Sequence, residues 1–117
     1  MSLIKKWGPV VFMMAVIFCF SSMKGNTVDA LGLGKESYHI NGHFFLFLAL
    51  GLTLYRAVRS YPMSLAVGVL YGITDEVHQV FVPGRTAGPF DVFVDSMGVL
   101  ISLGLIWLIT RLKTQKN

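Results

Sequence analysis

The sequence predicts an all-α, polytopic membrane protein of four transmembrane helices, with both termini cytoplasmic. Three observations lead there. Of 117 residues, 54% are apolar and only 14% are charged, against about 45–50% and about 25% in soluble domains. Four stretches lack Asp, Glu, Lys and Arg: Trp7 to Met23, Ser37 to Tyr55, Ser60 to Thr74 and Ser96 to Thr110. The ten basic residues are also divided unevenly between alternate connections. The whole of 1–117 forms one domain with helices at about 7–23, 39–55, 62–81 and 90–109.

The first helix, 7–23, meets the requirement of about 20 mostly apolar residues for a bilayer crossing. Gly8 and Pro9 fit its start. Ser21 and Ser22 close it, as nucleophile candidates or, more commonly for such serines, as hydroxyls bonded back to helical carbonyls. Lys5 and Lys6 ahead of an apolar run also invite comparison with a signal peptide. The run exceeds an h-region of about 7–15 residues, and no A-x-A site follows.

The second helix, 39–55, opens on His39, Asn41 and His43 before turning apolar. The third, 62–81, carries Gly68 and Gly72, a small-xxx-small pair that admits a neighbouring helix. Pro83-Gly84 then predicts a turn, since proline presets φ and glycine tolerates positive φ. The fourth helix, 90–109, begins with Asp91 and Asp95 stacked at i and i+4. A soluble bundle would need polar surface to cover four such runs, and this chain has too little.

Charge sets the orientation. Lys5, Lys6, Arg56, Arg59, Arg111, Lys113 and Lys116 fall on one side, and Lys24, Lys35 and Arg85 on the other. The positive-inside rule assigns the richer side, and so both termini, to the cytoplasm. The formal net charge of +4 therefore reports topology rather than a nucleic-acid partner. A single cysteine, Cys19, excludes an internal disulfide and a multi-cysteine zinc site.

Chemistry concentrates near the outer ends of the last two helices. Four of the six acidic residues, Asp75, Glu76, Asp91 and Asp95, lie within 21 positions, together with His78, Gln79 and Arg85. Asp75 shares a helical face with His78 and Gln79, while Glu76 is turned about 100° away. The Pro83-Gly84 turn brings both ends to one level, and His43 lies at a similar depth. A carboxylate at mid-bilayer costs at least about 2.5–3.5 kcal/mol, so this group calls for solvent, partners or a cation. Arg85 can offset one carboxylate. A divalent cation is the one cofactor the group suggests, with Asp75, His78, Asp91 and Asp95 as candidate ligands. The plainer alternative is interfacial capping, with Asp91 favoured in a first turn by the helix dipole. No H-E-x-x-H, Walker A or G-x-S-x-G motif is present.

These residues resemble a known family. The run Gly72-Ile-Thr-Asp75-Glu76-Val-His78-Gln79-Val-Phe-Val-Pro83-Gly84-Arg85, followed by Asp91-Val-Phe-Val-Asp95-Ser-Met-Gly98, looks like the core of VanZ-like membrane proteins. Phe20-Ser21-Ser22 and Gly42-His43-Phe44-Phe45 resemble it too, so the likeness spans nearly the whole chain. It implies a multi-pass protein of the bacterial plasma membrane, of a family named for an association with teicoplanin resistance. It also implies that Asp75, Glu76, His78, Gln79, Arg85 and Asp91 are the catalytic candidates, with His43 and Asp95 as binding residues. The chain departs from the family pattern at Ile40, Phe47 and Met23, where a basic residue, a tyrosine and a polar residue are usual.

Three functions fit. The first is an enzyme of hydrolysis or group transfer at the outer leaflet, acting on a lipid or a lipid-linked envelope precursor. There Asp75 and His78 serve as base or ligands and Arg85 holds an anionic group. The second is a non-enzymatic binder of precursor, lipid headgroup or glycopeptide. A transporter subunit ranks last, because transport sites lie near the midplane. Membrane lipids are the expected partners, and the oligomeric state stays open.

Overall fold

The computed structural model describes residues 2–22, 36–84 and 88–116, and the regular elements among them are all helical. They are α1 (Leu3–Ser21), α2 (Glu36–Val58), α3 (Tyr61–Val80) and α4 (Pro89–Lys116). Each runs past the predicted limits at one end or both. Lys5, Lys6 and the basic residues after Thr110 are good helix formers, so charge marks where an apolar stretch stops and not where a helix must stop.

Ser2 caps α1 by accepting the Lys5 amide at 3.3 Å. This early start overturns the expectation that Gly8 and Pro9 open the helix, for Pro9 lies inside it. Proline has no N–H to return to the carbonyl four residues back, which is that of Lys5. The Arg56 guanidinium of α2 donates to this carbonyl at 2.8 Å. The structure thus repairs the missing helical bond with a side chain from the neighbouring helix.

Two residues join α2 to α3. Arg59 adopts a left-handed φ of 59°, usual for glycine at a helix end, and its amide donates to the Tyr55 carbonyl at 2.8 Å. Ser60 then caps α3 by accepting the Met63 amide. At the other end of α3, the Phe81 and Val82 amides close a tighter turn on the His78 and Gln79 carbonyls. Gly84 follows with φ 73°, the positive value expected for the Pro83-Gly84 turn.

The helices alternate in direction. Phe20 packs on Gly42 while Arg56 reaches Lys5, so α1 and α2 are antiparallel. Tyr55 stacks on Tyr61 while Gln79 meets His43, so α2 and α3 are antiparallel as well. Gly68 faces Val99 and Gly72 faces Asp95, which sets α4 against α3. Lys5 and the last turns of α4 accordingly lie at one end. Cavities of about 600 and 380 Å³ flank Tyr61 and Trp107 at that end.

Helix α2 packs against all three others. Its buried stripe of Phe47, Leu50, Leu54 and Ala57 meets Val99 and Leu103 of α4 and Val10 and Ile17 of α1. Glycines permit the closest approaches. A Cβ on Gly98 would lie 2.6 Å from the Phe44 carbonyl oxygen, and one on Gly68 would lie 2.7 Å from Val99. The small-residue pair of α3 therefore faces α4. Large apolar side chains point outward on every helix, among them Phe12, Phe45, Leu70 and Leu108. Helix α1 and residues Pro89–Gln115 of α4 are each long and apolar enough to cross a membrane.

Candidate functional site

The buried face of α3 reads Ser64, Gly68, Gly72, Asp75 and Gln79, spaced four, four, three and four apart. That spacing keeps one stripe on one side of a helix. Small residues bring the stripe against α4, and the same stripe then carries Asp75 and Gln79 into the interior. On α4, Asp95 lies one turn before Val99 and is fully buried. On α2, His43 lies one turn before Phe47 and is 2% exposed.

Three helices meet at His43. Its Nδ1 donates to Asp95 Oδ1 at 2.9 Å. Asp75 Oδ2 lies 3.8 Å from the same nitrogen. On the far side of the ring, Gln79 Nε2 donates to His43 Nε2 at 3.1 Å. Phe47 stacks parallel to the imidazole with centroids 6.4 Å apart, and the edge of Phe20 approaches at 6.0 Å. The imidazole is thus held at both nitrogens and walled by rings. Phe47, one of the departures from the family pattern, contributes an apolar wall and no hydroxyl here.

The cluster lies six to seven residues inside the starts of α4 and α2, about 10 Å below the end of the bundle remote from the termini. Asp95 Oδ2, Gln79 Oε1 and Ser21 Oγ are buried with no hydrogen-bond partner among the described residues. Buried polar atoms are ordinarily bonded, and each exception needs a reason. Buried ionic groups are also weak contributors to stability compared with apolar packing. The four polar side chains assembled in the interior, His43, Asp75, Gln79 and Asp95, are therefore costly for the fold.

The other candidates stand around this group. His78 points toward α1, where its ring stacks on Phe18 at 4.5 Å. Its Nε2 donates to Ser22 Oγ at 2.8 Å, and that hydroxyl donates in turn to the Phe18 carbonyl at 2.7 Å. The Ser22 proton is committed to the helix, as expected for a serine at a helix end. Glu76 is half-buried and approaches the Gly88 amide before α4. Asp91 occupies the first turn of α4, where the dipole favours it. Arg85 lies outside the described residues, as do Met23 and the side chain of Ile40.

Among the described residues, the one set of His, Cys, Asp and Glu able to converge on a metal ion is His43, Asp75 and Asp95, with ligand atoms within 4.8 Å of one another. Of the four ligands expected from the sequence, Asp75 and Asp95 belong to this set, and His78 and Asp91 do not. Helical spacing placed His78 beside Asp75, but the angle between them turns His78 to α1 and Asp75 to α2 and α4. The nitrogen at the centre comes from His43, 52 positions from Asp95. The polar opening of an otherwise apolar α2 is its only local sequence signal.

The fold and site define a small helical bundle with large apolar side chains on its surface, two helices long and apolar enough to cross a membrane, and a His–Asp–Asp–Gln cluster inside one end. The chain belongs to the VanZ-like family: residues 7–110 match the VanZ/LLP1 family model. No curated protein and no solved structure matches the chain.

Proposed function

We propose that this chain is a four-span protein of the bacterial plasma membrane, with both termini cytoplasmic, and that the His43 cluster is its working site on the outer side. There it serves teicoplanin-type glycopeptide resistance or the chemistry of envelope lipids and lipid-linked precursors, by hydrolysis or group transfer. The observation that carries this is the burial of His43, Asp75, Gln79 and Asp95 together inside an apolar-clad bundle. Ionisable side chains in membrane helices are costly and mark functional sites by default.

Four spans are favoured by length and surface. Helices of 19, 23, 20 and 28 residues extend about 28–42 Å at 1.5 Å per residue, against a hydrocarbon core of about 30 Å. Large apolar side chains face outward on α2 and α3 as they do on α1 and α4. The excess of basic residues at the end carrying the termini supports a cytoplasmic assignment.

An imidazole oriented at Nδ1 by a carboxylate is suited to accepting and returning a proton at its other nitrogen. In this role Asp95 positions His43, and Gln79 gives way to substrate at Nε2. Asp75, Glu76 and Asp91 supply negative charge, and Arg85 is the family-matching cation for an anionic substrate group.

The test is teicoplanin susceptibility of a sensitive Gram-positive host carrying wild type, Asp95→Asn, Asp75→Asn or Arg85→Ala at matched membrane levels. A raised inhibitory concentration in wild type, abolished in all three variants, is the expected result. Equal behaviour of all four strains refutes the proposal, whether or not resistance rises.

A further inference from the structure

We infer that the His43–Asp75–Asp95 cluster is a binding site for one divalent transition-metal cation, with Gln79 as the side chain that orients the histidine. The inference rests on the functional reading above only for the location of the site; with the ion bound, His43 is a ligand through Nδ1 in place of a proton acceptor at Nε2.

The geometry suits an ion. His43 Nδ1 lies 2.9 Å from Asp95 Oδ1 and 3.8 Å from Asp75 Oδ2. Ligands about 2.1 Å from a tetrahedral ion stand about 3.4 Å apart, midway between those two distances. All three residues are buried, so an ion there would exchange its hydration shell for fixed protein atoms. Asp75 and Asp95 bring two carboxylates to one imidazole nitrogen, a donor set of one nitrogen and two oxygens. Such a set can ligate a divalent ion with the imidazole uncharged. One nitrogen and two oxygens favour Zn²⁺ or Mn²⁺ over Ca²⁺ and Mg²⁺, which prefer all-oxygen sites.

Gln79 supplies the independent observation. Its amide is fully buried and touches the imidazole, yet its Oε1 has no hydrogen-bond partner among the described residues. As placed, Nε2 of the amide donates to the ring, which leaves the histidine proton on Nδ1 facing Asp95. Turning the amide through 180° occupies the same volume and offers Oε1 to an Nε2–H. The proton then sits at the Gln79 end, and the Nδ1 lone pair faces the two carboxylates. A metal-bound histidine needs this arrangement, with its second nitrogen donating to an outer oxygen. In that orientation Oε1 is the acceptor a metallated His43 requires, and the amide Nε2 takes the open position that Oε1 leaves. Ser21 stands close by: Phe20 and Ser22, on either side of it, touch α2 and α3 at the levels of His43 and His78. Ser21 between them is buried, and its Oγ has no hydrogen-bond partner among the described residues.

The experiment uses the full chain in detergent, without a polyhistidine tag and with Cys19→Ser so that the exposed thiol cannot hold metal. Chelator-stripped protein is titrated calorimetrically with Zn²⁺, with Ca²⁺ and Mg²⁺ as comparisons. One Zn²⁺ per chain is expected. Asp75→Asn and Asp95→Asn should each weaken binding at least about a hundredfold, since loss of an outer-shell partner alone costs about 10–100-fold. Tyr61→Phe, at the opposite end of the bundle, should stay within about threefold of wild type. A readout free of site variants is Mn²⁺ bound to the same protein, whose spin-echo modulation should report one coordinated imidazole nitrogen. The inference is overturned if the helical, stripped protein takes up no stoichiometric Zn²⁺, if both Asp→Asn variants bind as wild type does, or if the Mn²⁺ signal shows oxygen ligands only. Because binding is measured without substrate, the two proposals fail separately. Binding with no change in susceptibility removes the functional reading alone, and a susceptibility effect without binding removes the cation alone.

Discussion

Gly98→Ala should disable the candidate site without touching any of its side chains. The added Cβ would stand 2.6 Å from the Phe44 carbonyl oxygen and 3.0 Å from the Leu48 amide nitrogen. Both are backbone atoms of α2, so no rotamer change relieves the clash. Ordinary contact begins near 3.4 Å, so the two helices must part by about 0.8 Å if they move as rigid bodies. His43 adjoins Phe44, and Asp95 lies one turn before Gly98, so their 2.9 Å hydrogen bond would stretch to about 3.7 Å and be lost. Overpacking of this kind costs about 1–3 kcal/mol. SDS-titrated unfolding followed by helical circular dichroism measures that cost. Gly104→Ala is the control, because nothing lies within 4 Å of its Cβ. If Gly98→Ala unfolds within about 0.5 kcal/mol of wild type, short of that overpacking range, the close α2–α4 contact is wrong and so is the His43–Asp95 pair built on it.

Other perturbations test the framework around the site. Arg56→Ala should cost about 1 kcal/mol by orphaning the Lys5 carbonyl. In a Pro9→Ala background, where the helix regains its own donor, the same change should cost almost nothing; equal costs in a double-mutant cycle would dismiss the repair. Tyr71→Phe removes a 2.6 Å hydrogen bond to the Met14 carbonyl that ties α3 to α1. It should lower SDS resistance by about 0.5–1.5 kcal/mol with helical content unchanged, and an unshifted midpoint would show that the bond does not hold the pair.

Much of this architecture was legible from residue order. Apolar runs located four helices because a bilayer-sized helix needs a continuous apolar surface. Their ends were less legible, since lysine and arginine end an apolar stretch without ending a helix. The Pro83-Gly84 turn and the close approach at Gly68 and Gly72 were readable because proline, glycine and small-residue spacing impose local geometry. Pro9 misled for a related reason: its usual position at a helix start says nothing of a distant arginine able to mend the bond it breaks. The site was half legible. Asp75 and Gln79 share a face by spacing alone. The apparent alliance of Asp75 with His78 dissolved, because an i+3 neighbour can turn toward a different helix when three helices surround it.

The sequence by itself determined the helical class, the number of helices, the Pro83-Gly84 turn after α3 and the family. These follow from composition, from periodicity along one helix and from residue types with local conformational demands. Only the tertiary structure decided that His43 stands at the centre, that Asp95 and Gln79 hold its two nitrogens, and that His78 belongs to α1. Periodicity sets a residue's angle about its own axis and is silent on which neighbour that angle meets. The meeting is set by how closely the helices pack, and here glycines at 51, 68, 72 and 98 bring α2, α3 and α4 near enough for side chains far apart in the chain to touch.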